Sequence, residues 1–462
     1  MVPERLRPLL DEVRPLAERF AAAGHRLYLV GGSVRDAILG RPLAEIDLDF
    51  TTDARPDAVE AVVRQWADSV WTQGKRFGTI GALHAGRRYE ITTHRAEAYT
   101  PDSRKPDVAF ADAVDADLSR RDFTVNAMAL SLPDLELVDP FGGVADLAAR
   151  RLRTPLSPDE SFTDDPLRML RAARFIAGYE LQPDPALGAA VRELQDRLEI
   201  VSAERLRDEL DKLLVVERPG AGLWFLVHTG LAEEFLPELP ALALQQDPVH
   251  RHKDVLAHTI AVVEKTRPDK VLRLAALLHD VGKPKTRSFG SGGVSFHHHE
   301  VVGARMAEER MRALRYPTEE IAAVRRLVEL HLRFHGYGDE VWTDAAVRRY
   351  ARDAGPLLER LNELTRCDCT TRNRAKASML AARMDDLEAR IAELRQREAL
   401  DAIRPDLDGN QIMARLGIGP GRAVGQARDF LLELRLEEGP LGEEEAGRRL
   451  DEWWAARTDR SS

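Results

Sequence analysis

Leu29-Val30-Gly31-Gly32-Ser33-Val34-Arg35-Asp36, followed by Asp47-Leu48-Asp49, is the stretch on which the reading of this chain turns. Leu27-Tyr28-Leu29-Val30 is an apolar run of strand length, and the paired glycines break it. A short helix is expected from there to Gly40, with Pro42 just beyond. Ile46-Asp47-Leu48-Asp49-Phe50 alternates apolar and acidic residues, as a half-buried strand does. On such a strand Asp47 and Asp49 leave the same face, a few ångströms apart. Adjacent carboxylates repel unless a cation bridges them, and hard divalent ions with oxygen ligands do so. In a two-metal site one ion acidifies an attacking hydroxyl and the other neutralises the leaving oxygens. The plainer alternative is a solvated edge-strand face. The turn before the acids bears on the choice. Glycines let backbone N–H groups approach an anion, the helix N-terminus adds its dipole, and Arg35 offers a fixed charge to a triphosphate. Equally, Ser33 and Asp36 can form a capping box around a simple turn, and both can hold at once.

Working outward, residues 1–24 read as an amphipathic helix closed by Gly24. Further strands are expected at 79–84, 88–93 and 136–139, so the region to about 150 is mixed α/β, with a flexible loop over 98–117 that holds Lys105. Beyond 150 the pattern is helical. Pro155, Pro158, Pro166, Pro183 and Pro185 mark junctions, and a break at Pro237–Pro248 precedes a histidine-rich region. Residues 290–293 read as a flexible turn, 372–400 as a long charged helix, and the tail from 436 is acidic.

The chain has 462 residues, 44% hydrophobic and 31% charged, which fits several domains with ample core and excludes wholesale disorder. No apolar run approaches the ~18 residues of a membrane span, and the charged N-terminus lacks the apolar core of a signal peptide. Cys367 and Cys369 are the two cysteines. They cannot make a four-cysteine zinc site, and a reducing cytoplasm is the expected compartment. The net charge of −10 excludes a general basic coat, so any contact with a polyanion must be local or metal-mediated. Nine of the thirteen histidines fall between His250 and His335, which points to a metal or catalytic centre there.

The glycine turn and D-x-D pair resemble the head of class II nucleotidyltransferases, the group that contains bacterial CCA-adding tRNA nucleotidyltransferases and poly(A) polymerases. Further segments match in the family's order. They are Arg120-Arg121-Asp122-Phe123-Thr124-Val125-Asn126, Asp139-Pro140-Phe141-Gly142-Gly143, Asp164-Asp165-Pro166-Leu167-Arg168 running on to Phe175, and Glu204-Arg205-Leu206-Arg207-Asp208-Glu209-Leu210. The resemblance implies an α+β multidomain chain. A mixed-sheet, polymerase-beta-like head (1–150) would be followed by a helical neck (151–245), an HD domain (246–370) and a helical body and tail (371–462).

It also implies template-independent addition of CCA to the 3′ end of tRNA from CTP and ATP. Asp47 and Asp49 would hold Mg2+, and Gly31, Gly32 and Arg35 would cradle the triphosphate. Arg121, Asp122 and Asn126 would meet ribose or phosphates, with Asp122 and Asn126 one helical turn apart. Asp122 can as readily cap a helix. Asp165 and Arg168 stand at i and i+3. The carboxylate would accept from the exocyclic amino group of cytosine or adenine while the guanidinium donates to the neighbouring ring acceptor, which disfavours guanine and uracil. Asp165 can instead be an N-cap before Pro166. Arg150, Arg151, Arg153, Arg168, Arg171 and Arg174 form a local basic patch, or salt-bridged helix faces. Arg171 and Arg174 are counted with the nucleotide-binding residues. Asp164 stands where the family usually has Glu, which leaves its bracing role open. Glu90 on a neighbouring strand could be a third carboxylate, but such a residue is more often just a strand-face charge, and it is left out of the expected site.

His258, His279-Asp280, His299, His331 and Asp368 resemble the ligand series of the HD phosphohydrolase superfamily, with Lys283 as a phosphate-positioning or capping residue. Such a set suits a divalent transition metal with open water positions. The segment 412–425 resembles the family's tRNA-holding tail motif. Besides an inactive HD domain that serves only as scaffold, two alternatives remain at this point. One is a poly(A) polymerase that uses ATP alone, against which the acidic tail argues. The other is an HD-type phosphohydrolase whose head only binds RNA.

Overall fold

The computed structural model describes residues 7–42, 47–100, 103–244, 254–290, 293–337, 342–370, 373–398 and 403–458. The chain divides into two compact units, Met1–Pro240 and Ala241–Ser462.

The first unit opens with α1 (Arg7–Ala22). Its buried residues Leu9, Leu10, Val13, Leu16, Ala17 and Phe20 recur at helical spacing and face the sheet core. Burial of Leu16 or Phe20 contributes roughly 1.5–3 kcal/mol each. The strands are β1 (Leu27–Val30), β2 (Leu48–Thr52), β3 (Ser69–Trp71), β4 (Thr79–His84), β5 (Arg87–Thr93), β6 (Arg95–Thr100), β7 (Ser103–Phe110), β8 (Ala129–Leu132) and β9 (Leu137–Val138). Seven of them form a sheet in the order β3-β4-β5-β2-β1-β8-β9. β2 lies parallel to β5, whereas β1 is antiparallel to both its neighbours, β2 and β8. The sheet is therefore mixed, as expected. Between β1 and β2 runs α2 (Gly32–Leu39), ended by left-handed Gly40.

Three local expectations are corrected. Asp47 lies just before β2 rather than on it, so only Asp49 has strand geometry. The segment read as a flexible loop is largely a hairpin, β6–β7, closed by backbone pairing that a charged, proline-bearing sequence does not advertise. Asp122 and Asn126 are not a helical turn apart, because a short 3-10 turn, Thr124–Asn126, replaces the helix.

The remainder of the first unit is helical. The helix Pro158–Asp164 starts at a Ser157/Glu160 capping box. The helix Leu167–Tyr179 packs on Ala203–Leu214 and on Gly220–His228.

In the second unit the helices Val255–Lys265, Lys270–Leu278, His299–Ala313, Thr318–Leu330 and Leu358–Asp368 enclose the histidine cluster. Asp254 and Asp269 cap the first two by accepting from the Ala257 and Leu272 N–H groups. Of the residues 290–293 read as a turn, Gly290 and Gly293 pair with each other at the ends of two antiparallel strands, Arg287–Gly290 and Gly293–Phe296, and the two between lie outside the described residues. The long charged helix is Arg374–Glu398. Its buried end residue Glu398 forms a bidentate ion pair with buried Arg348, which also donates to the Leu436 and Glu437 carbonyls. Three last helices, Gly409–Leu416, Arg422–Glu438 and Gly442–Thr458, share a core of Ile412, Ala427, Leu431, Ala446 and Leu450.

Candidate functional site

In the first unit the site forms where β1 gives way to α2. Gly31 adopts φ 67°, and a side chain there would come within 2.4 Å of Arg121 Nη1. The position thus needs glycine both for its backbone and for the close approach of that guanidinium. Ser33 does not cap α2. Its hydroxyl donates to the Asp47 carbonyl (2.6 Å) and accepts from the Asp49 N–H (3.0 Å), tying the glycine turn to the acidic strand. The alternative of a Ser33–Asp36 capping box is therefore not realised, since Gly31 is the N-cap residue and makes no side-chain cap.

Asp47 is exposed and Asp49 half-buried. Burial pushes the Asp49 carboxyl up to about 6, with Glu90 and Asp47 adding to it and Arg121 opposing. Glu90 is the register partner of Asp49 across the β2–β5 ladder, and this makes it a third acid at the site. The sequence offered Glu90 as a possibility, but its pairing with Asp49 is a long-range fact that no local pattern carries. Hard oxygen donors crowded in this way fit a divalent cation such as Mg2+.

Arg35 lies in the site, but it is buried and its guanidinium is engaged. It makes a bidentate pair with Asp36 (3.0 and 2.9 Å), bonds Asn126 Oδ1, and stacks 4.2 Å from the Tyr179 ring centroid. It therefore orders Asn126 and α2 more directly than it faces solvent. Gly32 is the first residue of α2, beside the Arg35 guanidinium. Arg121 is partly exposed and leans on buried Asp117 at 3.1 Å.

Asp122 is buried and saturated. It accepts from the Phe123 N–H (2.8 Å), Asn126 Nδ2 (2.8 Å), and Arg171 Nε and Nη2 (2.9 and 2.5 Å). Burial alone would raise its carboxyl. The Arg171 charge and the Asn126 bond outweigh this and hold it far below the usual range. Arg174 pairs with buried Glu209 at 2.8 Å, and Arg171 Nη1 stands 3.7 Å from the same carboxylate. An alternating chain Asp122–Arg171–Glu209–Arg174 thus links the turn after Arg121 to the helices Leu167–Tyr179 and Ala203–Leu214.

Asp165 and Arg168 are not brought side chain to side chain. Asp165 precedes its helix and accepts from the Leu167 N–H (3.2 Å) and Arg205 Nη2 (3.0 Å). Arg168 is buried and donates to the Ser161 hydroxyl (2.9 Å) and the Arg120 carbonyl (2.5 Å). The arginine patch also resolves into pairs. Arg150 meets Glu180 at 2.7 Å, while Arg151 and Arg153 meet Asp146 at 3.5 and 2.7 Å.

In the second unit all six expected ligands converge: His258, His279, Asp280, His299, His331 and Asp368. All except His279 line a cavity of about 330 Å3, which Lys283 and Lys376 also line. His279 and His331 follow the last residues of their helices, His299 begins one and Asp368 ends one. The site is therefore an assembly of helix ends. Gly282 permits it, because a Cβ there would lie 2.2 Å from the His299 carbonyl.

The Nδ1 atoms of His279, His299 and His331 bond the carbonyls of Ala276, Phe296 and Val328 at 2.7, 2.8 and 2.6 Å. Each ring thereby presents Nε2 inward, and those three buried nitrogens make no well-aligned hydrogen bond among the described residues, those of His279 and His299 standing 3.2 and 3.3 Å from the Asp280 carboxylate. Two ligand groups, His258–His279–Asp280 and Asp280–His299–His331, share Asp280. His258 Nε2 lies 2.8 Å from Asp368 Oδ1, and Lys283 Nζ lies 2.6 Å from Asp280 Oδ2. Burial disfavours a charged His279, yet Asp280 and Asp368 override it and hold the imidazole up to about 10; burial and the His279 charge hold His331 down to about 3. The inward-facing nitrogens and the mixed nitrogen and oxygen donors fit a divalent transition ion. His252 lies outside the described residues, while His297 and His298 are exposed.

Among the described residues no helix is long and apolar enough to cross a membrane. The Poly A polymerase head domain family matches residues 27–153. A probable RNA and SrmB-binding site of polymerase A matches 180–242, and the HD domain family matches 255–394. An A-adding tRNA nucleotidyltransferase of Deinococcus radiodurans is 33% identical over 447 residues, covering 93% of this chain and 96% of that protein. A CCA-adding enzyme of Limosilactobacillus reuteri is 38% identical over 229 residues, 49% of this chain and 55% of that one. The fold is also that of a Bacillus stearothermophilus CCA-adding enzyme solved with CTP, with TM-score 0.70, 21% identity, and coverage of 99% of this chain and 100% of that one. With its glycine turn, acidic strand, buried carboxylate–arginine chain and HD-type histidine cluster, and with similarity along almost its whole length, the chain belongs to the class II tRNA nucleotidyltransferase and poly(A) polymerase family with an HD domain.

Proposed function

We propose that this chain extends the 3′ end of tRNA without a nucleic-acid template, building CCA from CTP and ATP with release of pyrophosphate. The observation that carries the reading is the tie from Ser33 to both Asp47 and Asp49, which holds the glycine turn beside the two acids. Asp47, Asp49 and Glu90 would hold Mg2+. When bound, the ions acidify the attacking 3′ hydroxyl and neutralise the leaving oxygens. The chain's own share is positioning. The Gly31–Gly32 turn and Arg121 receive the triphosphate, and Asp122 and Asn126 order the ribose side. Asp165 presents an acceptor to the base.

The HD cluster is proposed as a second, metal-dependent phosphoester-hydrolysing centre, with Lys283 holding a phosphate oxygen. The cytoplasm is the proposed compartment, and the four-part division at 150, 245 and 370 is retained as part of this reading.

Addition of A alone, to tRNA already ending in CC, is the second reading. It is favoured by the near-full-length similarity to the A-adding protein, whereas the CCA-adding relative from Limosilactobacillus reuteri matches over half of its length. Sequencing of products from a tRNA transcript lacking its end, and from one ending in CC, with CTP, ATP or both, separates the readings. C incorporation from CTP alone supports CCA addition. A added only to the CC-ended transcript supports the second reading, and a long A tail supports a poly(A) polymerase. Incorporation of neither nucleotide overturns all three.

A further inference from the structure

We propose that Arg205 is a specificity-determining positioning residue, fixing the Asp165 carboxylate so that its remaining lone pairs accept from the amino edge of the incoming base. This rests on the base-reading role given to Asp165 above. Asp165 sits at the junction between the helices Pro158–Asp164 and Leu167–Tyr179, in extended conformation. Its Oδ1 accepts the Leu167 N–H at 3.2 Å, and Arg205 Nη2 reaches across from the helix Ala203–Leu214 to lie 3.0 Å from Oδ2.

A carboxylate offers about four lone-pair positions, so these two donors orient it and still leave acceptor sites open. An acceptor-only group held in one orientation takes an N–H from cytosine or adenine. Against the carbonyl oxygen of uracil or guanine it leaves both partners unpaired, the costliest kind of mismatch. The pair has little worth as a brace, because its side chains are 40% and 24% exposed, a setting in which ion pairs contribute little to stability. Arg168 is buried on Ser161 and the Arg120 carbonyl. Asp165 is thus the part-exposed polar member of the pair, and its orientation is set from outside its own helix.

The test is single-nucleotide incorporation on truncated tRNA with CTP, ATP, UTP and GTP, comparing kcat/KM for wild type, R205A, R205K and D165A. R205A is expected to lower discrimination between amino-bearing and keto-bearing bases about tenfold or more, while R205K, which retains a donor, keeps it within about threefold of wild type. If R205A lowers kcat/KM equally for all four nucleotides, Arg205 is merely structural and the proposal is overturned. If D165A leaves discrimination intact, the base-reading role itself fails, and Arg205's with it. R205K guards against a folding defect, since loss of discrimination in R205K at wild-type thermal stability also counts against a donor role.

Discussion

Asp49 and Glu90 are direct partners in the parallel pairing of β2 with β5, so the two carboxylates meet on one face of the sheet. Neighbouring acids at this spacing raise the cost of charge until a cation arrives. Glu90→Gln is expected to weaken metal dependence rather than abolish the fold. Nucleotide incorporation at limiting Mg2+ should fall about 10–100-fold, with partial recovery at high Mg2+. Asp49→Asn should remove incorporation altogether. A magnesium titration of E90Q that superimposes on wild type would remove Glu90 from the site.

Gly31→Ala combines two penalties. A backbone at φ 67° and ψ −128° is nearly reserved for glycine and costs an alanine roughly 1–3 kcal/mol. The new methyl also meets Arg121 Nη1 at 2.4 Å and must push that guanidinium aside. The expected outcome is a several-fold rise in KM for the nucleoside triphosphate, together with a drop of a few degrees in Tm. Unchanged KM and Tm in parallel assays would contradict both effects.

Asp117 is buried beneath Arg120 and Arg121. Burial opposes its charge, but the two guanidiniums overcome this and hold the carboxyl down to about 2. A depressed carboxylate stabilises the fold fully above its unfolded value near 4, and that stabilisation fades as pH falls from about 4 towards 2. Its size is roughly 2 kcal/mol. Asp117→Asn should therefore destabilise the protein by about that amount at pH 7 and by much less near pH 2.5. Guanidinium unfolding followed by circular dichroism at both pH values checks this. An equal difference at the two values would show that Asp117 acts by shape rather than charge.

The histidine cluster makes a separate forecast. Full-length protein purified without chelator is expected to carry a divalent transition ion, measured by elemental analysis. Asp280 belongs to both ligand groups and His331 to one. Asp280→Ala should therefore strip the metal, whereas His331→Ala should lower its content or affinity only in part. Metal-free wild-type protein, after exposure to Mn2+, Ni2+ and Zn2+ and desalting, would refute the centre.

Much of this was legible in the sequence where the signal is local. The strand Leu27–Val30, the glycine break and α2 follow from apolar runs and punctuation, and the HD ligands announce themselves as residue types. What was not legible is long-range or happens at element ends. Asp47 falls just outside β2 because pairing with β5 begins at Leu48 and pairing with β1 only at Phe50. Ser33 turned from a helix cap into a strand clamp because Asp47 and Asp49 offered it better partners. Arg168 points to Ser161 rather than beside Asp165 because a buried guanidinium seeks every carbonyl within reach. The β6–β7 hairpin escaped notice because a ladder can be sustained by main-chain bonds without an apolar alternation to betray it.

The Ser33 hydroxyl has a consequence for how the enzyme keeps its dimensions. One oxygen atom spans the main chain on either side of Leu48, with its own residue planted in the first turn of α2. The gap separating the glycine turn from the acid pair is thereby gauged by peptide backbone, whose bond lengths do not vary, instead of by rotamers that do. Ser33→Ala would leave every charged group in place and still loosen that calibration, turning a fixed jig into an adjustable one.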